Sequence, residues 1–156
     1  MVIVDVNVLL YAVNEDAEHH ESIRRWWEDA LSGDESVGLP WVVLLGFLRI
    51  ATNARVYPAP LTADEVLERV ERWLAVDVVT TVTEKPDHWR VLRDLIEDAG
   101  TAANLTTDAH LAACAITHDA CLVSCDGDFA RFEGLRWRNP LHGTRPTIGR
   151  GTGRPK

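Results

Sequence analysis

The sequence predicts an α/β fold, specifically a three-layer α/β/α sandwich around a mostly parallel central sheet. Short apolar runs rich in β-branched residues, such as VIV at 2–4 and CLV at 121–123, are typical of strands buried on both faces. Longer segments with helical periodicity alternate with these runs along the chain. Capping and stop signals bound several of the helical segments and separate them from the strands.

The first two helices are predicted in the first third of the chain. Residues 19–33, HHESIRRWWEDALSG, place their apolar side chains on one helical face and end at Gly33. Residues 39–52 predict a largely buried helix with Pro40 in its first turn. Gly46 lies inside this helix, where glycine weakens helical structure.

The remaining elements follow from Thr62 onward. Thr62 and Glu65 have the spacing of a capping box that starts a helix over 62–76. The segments after it predict a strand at 77–82, a helix at 85–100, a helix at 106–119, a strand at 121–125 and a short edge strand at 135–139. We therefore expect one folded domain over residues 1–141. Residues 142–156, rich in Gly, Pro, Arg and Thr, predict a flexible basic tail.

Length and composition limit the class of protein. The 156 residues suffice for one domain, and 46% hydrophobic with 26% charged residues is ordinary for a soluble globular chain. No apolar run has the length needed to span a bilayer, and no signal peptide is recognisable. The three cysteines lack CxxC spacing, which argues against a disulfide framework. We expect a cytoplasmic protein without membrane association.

The net charge of −8 is unevenly distributed. Residues 131–156 carry seven basic side chains and one acid, a charge of +6, which leaves −14 on the rest of the chain. A solvated tail is the favoured interpretation of this basic end, which is also compatible with contacts to phosphates.

Aspartates stand where predicted strands end. Asp5 follows VIV, and Asp126 and Asp128 follow the strand CLVSC, whereas Asp108 lies in the first turn of the helix TTDAHLAA. Open α/β sheets bind ligands at the carboxyl ends of their strands, so these acids are expected to meet at one edge. Bare carboxylates packed together repel one another, and a bound divalent cation removes that repulsion. Ligands that are all oxygen suit Mg²⁺ or Mn²⁺.

Each acid also has a structural explanation. Asp108 is an acid near a helix N-terminus, which the helix dipole favours, with Thr106 or Thr107 as the cap. The sequence DGD, around Asp126, is a turn signal. Asp5 is the hardest to explain structurally, because an unpaired charge beside a buried strand is costly.

A second candidate metal site lies on one predicted helix. His110, Cys114 and His118 recur at intervals of four residues on one face, a spacing compatible with zinc. No fourth ligand is evident, and Cys114 stands between alanines as a core residue does. A structural role is therefore favoured for this face.

Four motifs together resemble the PIN domain, in the order and spacing of that family. They are VDVNVLLYA, GLPWVVLLGFLRIATN, TDAHLAACAI and LVSCDGDFARFEGLRWRNP, and they extend from residue 2 to about residue 141. More narrowly, the chain is similar to the VapC-type ribonuclease toxins of type II toxin–antitoxin systems. The resemblance implies a Mg²⁺-dependent endoribonuclease, with Mn²⁺ as an alternative ion.

The resemblance also assigns roles to individual acids. Asp5, Asp108 and Asp126 match the first, third and fourth acids of the family, and are the implied metal ligands and catalytic residues. Asp128 matches an accessory catalytic acid that orients the attacking water. The second family acid is missing, because Gly46 occupies its position in LLGFLR. This departure implies fewer protein ligands and more water on the metal.

The resemblance also implies polar side chains that support the acids, and partners that bind the protein. Asn7 and Ser124 match positions that support the acid cluster by hydrogen bonds, although Asn7 also suits a helix N-cap and Ser124 the polar end of a strand. Arg49, Arg55 and the basic C-terminal stretch are candidates for contacts with RNA phosphates, and Arg49 equally for a structural ion pair. The resemblance implies a homodimer that is silenced by a cognate antitoxin protein covering the acidic site.

Two other functions compete with this expectation. The sequence DVN after an apolar strand resembles the nucleophile motif of haloacid-dehalogenase-type phosphatases, in which Asp5 would attack phosphate. Asn7 replaces the second acid of that motif, and the lysines, Lys85 and Lys156, are not placed convincingly for it. Alternatively, Gly46 has cost the chain its activity, which leaves a PIN fold that only binds antitoxin or RNA.

Overall fold

Six strands and six α-helices alternate along the part of the chain that the computed structural model describes, residues 1–143 and 145–151. The strands are Val2–Val4 (β1), Val37–Pro40 (β2), Val79–Val82 (β3), Cys121–Val123 (β4), Arg136–Arg138 (β5) and Thr147–Ile148 (β6). The helices are Val6–Val13 (α1), His20–Ser32 (α2), Trp41–Ala51 (α3), Ala63–Leu74 (α4), His88–Ala99 (α5) and Thr106–Thr117 (α6). Short 3₁₀ turns cover Ala103–Leu105 and Gly127–Arg131.

The strands form one sheet in the order β3-β2-β1-β4-β5-β6. All neighbours are parallel except β5 and β6, which are antiparallel. The chain moves one way from β1 to β3 and then returns to β4 on the other side of β1. Right-handed crossovers therefore place α1–α4 on one face of the sheet and α5 and α6 on the other. This arrangement confirms the predicted α/β fold with a mostly parallel sheet.

Local signals define several helices as predicted. Thr62 caps α4, because its hydroxyl accepts from the backbone N–H of Glu65 while the Glu65 carboxylate accepts from the N–H of Thr62 at 2.7 Å. Gly100 ends α5 in the left-handed conformation, at φ 70°, which glycine adopts without steric cost. Each helix in the described residues is too short or too polar to cross a membrane.

Two elements before residue 41 were not predicted from the sequence, and one residue was misplaced. They are α1, whose eight residues begin immediately after Asp5, and β2, whose four residues VGLP include glycine and proline. Both residues are poor indicators of a strand. Pro40 accordingly ends β2 and caps α3 instead of lying in the first helical turn.

The predicted tail contains one strand. Thr147–Ile148 pairs with β5, which is therefore not an edge strand. Next to it, the N–H of Gly149 donates to the carbonyl of Leu135 at 2.8 Å. A Cβ on Gly149 would lie 1.8 Å from the carbonyl oxygen of Phe132, so only glycine fits this approach. The flexibility predicted for residues 142–156 stays a prediction, and Thr144 and residues 152–156 lie outside the described part.

Gly149→Ala is expected to detach this segment, because the added methyl group cannot be accommodated against the Phe132 carbonyl. Trypsin should then cleave after Arg150 about tenfold faster or more, since cleavage follows the population of the opened segment. Time-resolved proteolysis with mass spectrometry measures this. Ile148→Ala is the control, because that side chain is 63% exposed, and it should cleave at the wild-type rate. Equal rates for Gly149→Ala and the wild type would contradict the packing described.

Candidate active site

The order in which the chain adds parallel strands to the sheet reverses between β1 and β4. From β1 the chain crosses to β2 on one side, and from β4 it crosses to β5 on the other. At such a switch point, the loops at the carboxyl ends of two adjacent strands diverge and leave a crevice. Asp5 follows β1 and Ser124 follows β4, and the N–H of Asp5 donates to the carbonyl of Val123 at 2.9 Å.

Asp5 is a buried carboxylate held by three donors. Its side chain is 8% exposed and caps α1, with Oδ1 accepting from the N–H of Val6 at 2.6 Å. Oδ2 accepts from Asn7 Nδ2 and from Ser124 Oγ, each at 2.7 Å. Burial, with a smaller contribution from Asp126, raises the pKa of Asp5 although the Ser124 and Val6 hydrogen bonds oppose the shift. The carboxylate is thus fixed in position and poorly solvated.

Asn7 and Ser124 connect the loops after β1 and β4. Besides Asp5, Asn7 Nδ2 donates to Ser124 Oγ at 2.9 Å, and Asn7 Oδ1 accepts from the N–H of Cys125 at 3.1 Å. Ser124 is fully buried, and its Oγ also accepts from the N–H of Asp126 at 3.0 Å. The N-cap of α1 is Asp5, so Asn7 does not have the alternative capping role.

Asp126 and Asp128 lie together on the turn after β4. Asp126 Oδ1 accepts from the N–H of Asp128 at 2.8 Å, which caps the 3₁₀ turn and realises the turn signal in DGD. Asp128 is exposed and forms a salt bridge with Arg131 at 3.0 Å. Asp126 therefore has a structural role as well as its expected role in the site.

Asp108 approaches this group from α6. It is half-buried in the first turn, and neither threonine before it caps the helix: the N-cap is Leu105, and Thr106 donates to the Ala103 carbonyl instead. The expected threonine cap was wrong because the 3₁₀ turn that precedes α6 brings a backbone carbonyl to that hydroxyl.

Burial and the neighbouring acids affect the ionisation of Asp108. Burial first, and then the charges of Asp5, Asp126 and Asp128, raise the pKa of Asp108 to about 6, while Arg131 opposes the shift. Within the described part of the chain, Asp5, Asp108 and Asp126 do not bring three oxygens within 4.8 Å of one another. Mutual repulsion favours such a separation. The site is thus a crevice of concentrated negative charge around one immobilised carboxylate.

Gly46 lies where α3 packs against α1. A Cβ at this position would be 3.3 Å from Val6 Cγ2, which is a tight contact. The close approach of the helices explains a small residue where the family's second acid is expected. It also keeps α1, and hence its N-cap Asp5, close to α3.

The cluster of possible zinc ligands on α6 differs from the predicted set of His110, Cys114 and His118. His118 Nε2 contacts the carbonyl of Thr83 at 2.8 Å and is not part of a cluster. His110 and Cys114 are joined instead by His88 from α5, and the ligand atoms of these three lie within 4.8 Å of one another. Sequence reasoning missed His88 because only the packing of α5 on α6 brings it close.

Comparison with known proteins shows the family to which this chain belongs. The family model of the PIN domain matches residues 2–135. The chain therefore belongs to the PIN domain family.

Curated relatives narrow the assignment. Ribonuclease VapC37 of Mycobacterium tuberculosis is 48% identical over 140 residues, which cover 90% of this chain and 97% of the relative. Ribonuclease VapC33 of the same species is 44% identical over 141 residues, 90% of this chain and 99% of the relative. Within the PIN domains, the chain thus belongs with the VapC ribonucleases. The fold also matches the solved structure of VapBC2 from Rickettsia felis bound to promoter DNA, with a TM-score of 0.67, 17% identity and coverage of 89% of this chain and 98% of that one.

Proposed function

We propose that this chain is the toxin of a type II toxin–antitoxin pair and that it hydrolyses RNA phosphodiester bonds as a Mg²⁺-dependent endoribonuclease. The observation that carries the proposal is the environment of Asp5, which is buried and held by hydrogen bonds at the switch point. Its charge, with those of Asp126 and Asp128, raises the pKa of Asp108. The ribonuclease names of the relatives support the proposal.

Asp5, Asp108 and Asp126 are the residues that would hold Mg²⁺ or Mn²⁺. Their donors are carboxylate oxygens, which these cations prefer. The raised pKa values of Asp5 and Asp108 indicate an excess of negative charge that a divalent cation would neutralise. A bound ion supplies charge neutralisation at the scissile phosphate and acidifies a water molecule. Because Gly46 stands in place of an acid, this chain would offer the ion fewer protein ligands, and water would supply the others.

The neighbouring side chains have supporting roles. Asn7 and Ser124 fix the orientation of Asp5, so that its oxygens need not reorganise when substrate binds. Asp128 is exposed at the rim of the crevice, and we assign it the orientation of the attacking water by hydrogen bonding.

Arg49 and Arg55 are the proposed contacts for RNA phosphates. Both are exposed, and neither forms a salt bridge within the residues described. The basic C-terminal stretch is less available, since three of its arginines pair with acids: Arg131 with Asp128, Arg136 with Asp119, and Arg138 with Glu35.

A second copy of the chain and a cognate antitoxin are the proposed protein partners. Trp41 and Leu45 stand one turn apart on α3 and are 52% and 59% exposed, which leaves apolar surface for an interface. Trp27 and Phe47, by contrast, are buried in the core. An antitoxin arginine that reaches the acidic crevice would pair with its carboxylates bidentately.

The phosphatase alternative is disfavoured by the geometry of Asp5. Both of its oxygens accept hydrogen bonds and it is 8% exposed, so the carboxylate is poorly placed to attack phosphate. Trapping a phospho-aspartate on Asp5 would revive that alternative. The alternative of binding without catalysis predicts RNA binding with no heat of metal binding in calorimetry.

The direct test is RNA cleavage with and without divalent metal. The purified chain should cut structured RNA in Mg²⁺ or Mn²⁺, stop in EDTA and resume when metal is restored. Sequencing of RNA ends after induction identifies the target, and expression should arrest growth unless the small neighbouring gene product is co-expressed. Cleavage that ignores EDTA, or a chain that neither cuts RNA nor arrests growth at high expression, would contradict the proposal.

A further inference from the structure

Three metal-ligating side chains meet between α5 and α6, apart from the aspartate crevice. His88 is the first residue of α5 and is 7% exposed, and Cys114 on α6 is 1% exposed. His110 precedes Cys114 by one helical turn, so both project from the same face of α6. Of the described residues, these form the one group of three that brings a ligand atom each within 4.8 Å of the others.

One ligand atom from each of these side chains lies within 4.8 Å of the other two, and the shortest contacts in the group involve both nitrogens of each ring. His88 Nε2 lies 3.0 Å from His110 Nδ1, and Cys114 Sγ lies 3.9 Å from His88 Nδ1 and 3.8 Å from His110 Nε2. Zinc bonds of about 2.0–2.1 Å to nitrogen and about 2.3 Å to sulfur place neighbouring ligand atoms about 3.3–3.6 Å apart. Side-chain rotations that bring one nitrogen of each ring and the sulfur from within 4.8 Å to these separations would enclose such an ion.

Internal hydrogen bonding alone accounts poorly for this buried group. One short contact joins the two imidazole rings, whereas both contacts to sulfur exceed 3.7 Å and are weak. For His88 Nδ1, the contact with Cys114 is the one found in the described structure. A buried ring nitrogen with so poor a partner is well suited to a metal bond.

Glu84 offers a fourth ligand atom, a carboxylate oxygen, at the open side of the group. Its Oε1 lies 3.7 Å from His110 Nε2, and its charge also acts on His88 and Cys114. The side chain is 56% exposed and is therefore free to turn inward. It precedes α5, so its participation would join the β3–α5 connection to both helices.

We propose that His88, His110, Cys114 and Glu84 form a zinc site. Two imidazoles, a thiolate and a carboxylate suit a borderline-soft ion such as Zn²⁺, whereas the all-oxygen aspartate crevice suits Mg²⁺. Binding displaces the thiol proton of Cys114 to solvent, since the thiolate is the ligand. The ion ties α5 to α6 two residues beyond Asp108. The site does not depend on the proposed ribonuclease activity.

Cobalt binding tests this site directly. The full-length chain, purified with reductant and freed of metal with EDTA, is titrated with Co²⁺ and followed by absorption. Tetrahedral Co²⁺ with a thiolate ligand should give visible ligand-field bands and a near-ultraviolet sulfur-to-cobalt transition that saturate at one equivalent. Zn²⁺ should remove both signals stoichiometrically, and a large excess of Mg²⁺ should not. No charge-transfer band at stoichiometric Co²⁺ would overturn the proposal.

Four variants locate the ion. Cys114→Ser and His88→Gln should each lose the charge-transfer band or weaken binding at least about 100-fold, as loss of a ligand predicts. Glu84→Gln lies on the surface, leaves folding intact and should weaken binding about tenfold; unchanged affinity would remove Glu84 from the site. His118→Gln is the control on the same helix and should bind like the wild type. A band that survives Cys114→Ser would place the ion elsewhere and overturn the assignment.

Discussion

Asp5→Asn is expected to lower the rate of RNA cleavage by about 10³-fold or more. Charge stabilisation by a bound metal is worth several kcal/mol, and each 1.36 kcal/mol corresponds to a factor of ten in rate. The amide is nearly isosteric but removes the negative charge. Its NH₂ group also meets donors, since Asn7 Nδ2 and Ser124 Oγ both donate to Asp5 Oδ2. Initial rates on a fluorescent RNA, with circular dichroism to verify folding, measure the effect.

The same assay separates Asp5 from the side chains that orient it. Ser124→Ala and Asn7→Ala each remove hydrogen bonds to Asp5 but leave its charge, so a loss of about 10–100-fold in activity or metal affinity is expected. Asp34→Asn changes an exposed aspartate and should retain wild-type activity. Cleavage by Asp5→Asn at the wild-type rate would eliminate Asp5 as a metal ligand and with it the proposed chemistry.

The position of Asp5 was predictable because the signal is local. A three-residue β-branched run favours a short buried strand, and the residue that follows it in a parallel sheet lies at the carboxyl edge. The same reasoning placed Asp126 after β4. Periodicity likewise located α2, α4 and α5 within a few residues, because each has one apolar face and a recognisable cap or stop. α6 was also located, although it is buried on most sides, at Ala109 and from Leu111 to Ala115.

Features that depend on tertiary contacts were not predictable from local sequence. β2 contains glycine and proline, yet it forms a central strand because it lies between β1 and β3. A Cβ on Gly38 would lie 2.6 Å from Val82 Cγ2, so neighbouring side chains occupy the space that a larger residue would need. His88 reaches Cys114 across 26 residues, whereas His118, at the expected helical spacing, turns to Thr83. Spacing within one helix identifies a shared face but not the partner that packs on it.

Asp108→Asn is expected to stabilise the metal-free protein at neutral pH while it impairs cleavage. The pKa of Asp108 rises from its ordinary value of 3.8 to about 6 in the folded protein, chiefly through burial and then through Asp5, Asp126 and Asp128. Between about pH 4 and pH 6 the folded state therefore binds more protons than the unfolded state. The contribution of Asp108 to the free energy of unfolding must then fall as pH rises through this window.

The magnitude follows from the size of the shift. A shift of this size corresponds to about 3 kcal/mol at most, and partial exposure of the side chain reduces the expected effect to about 1–2 kcal/mol at pH 7. Urea unfolding in EDTA at several pH values measures it as the difference between Asp108→Asn and the wild type. That difference should be close to zero below pH 4 and should grow to its full value above pH 6. Asp34→Asn, which changes an exposed aspartate in the connection between α2 and β2, is the control.

Added Mg²⁺ should reverse the order of stability. A cation that binds only the folded state stabilises it by about 2.7 kcal/mol at a free concentration of 100 Kd. The wild type should gain this amount, whereas Asp108→Asn, with one carboxylate fewer, should gain less at the same concentration. The crevice would thus be a place where stability is given up for function, because the acids that destabilise the empty fold are those that bind the ion. Two results together would contradict this prediction: Asp108→Asn is no more stable than the wild type in EDTA at pH 7, and Mg²⁺ stabilises both proteins equally. They would show that the neighbouring acids do not affect Asp108 and that Asp108 does not bind the metal.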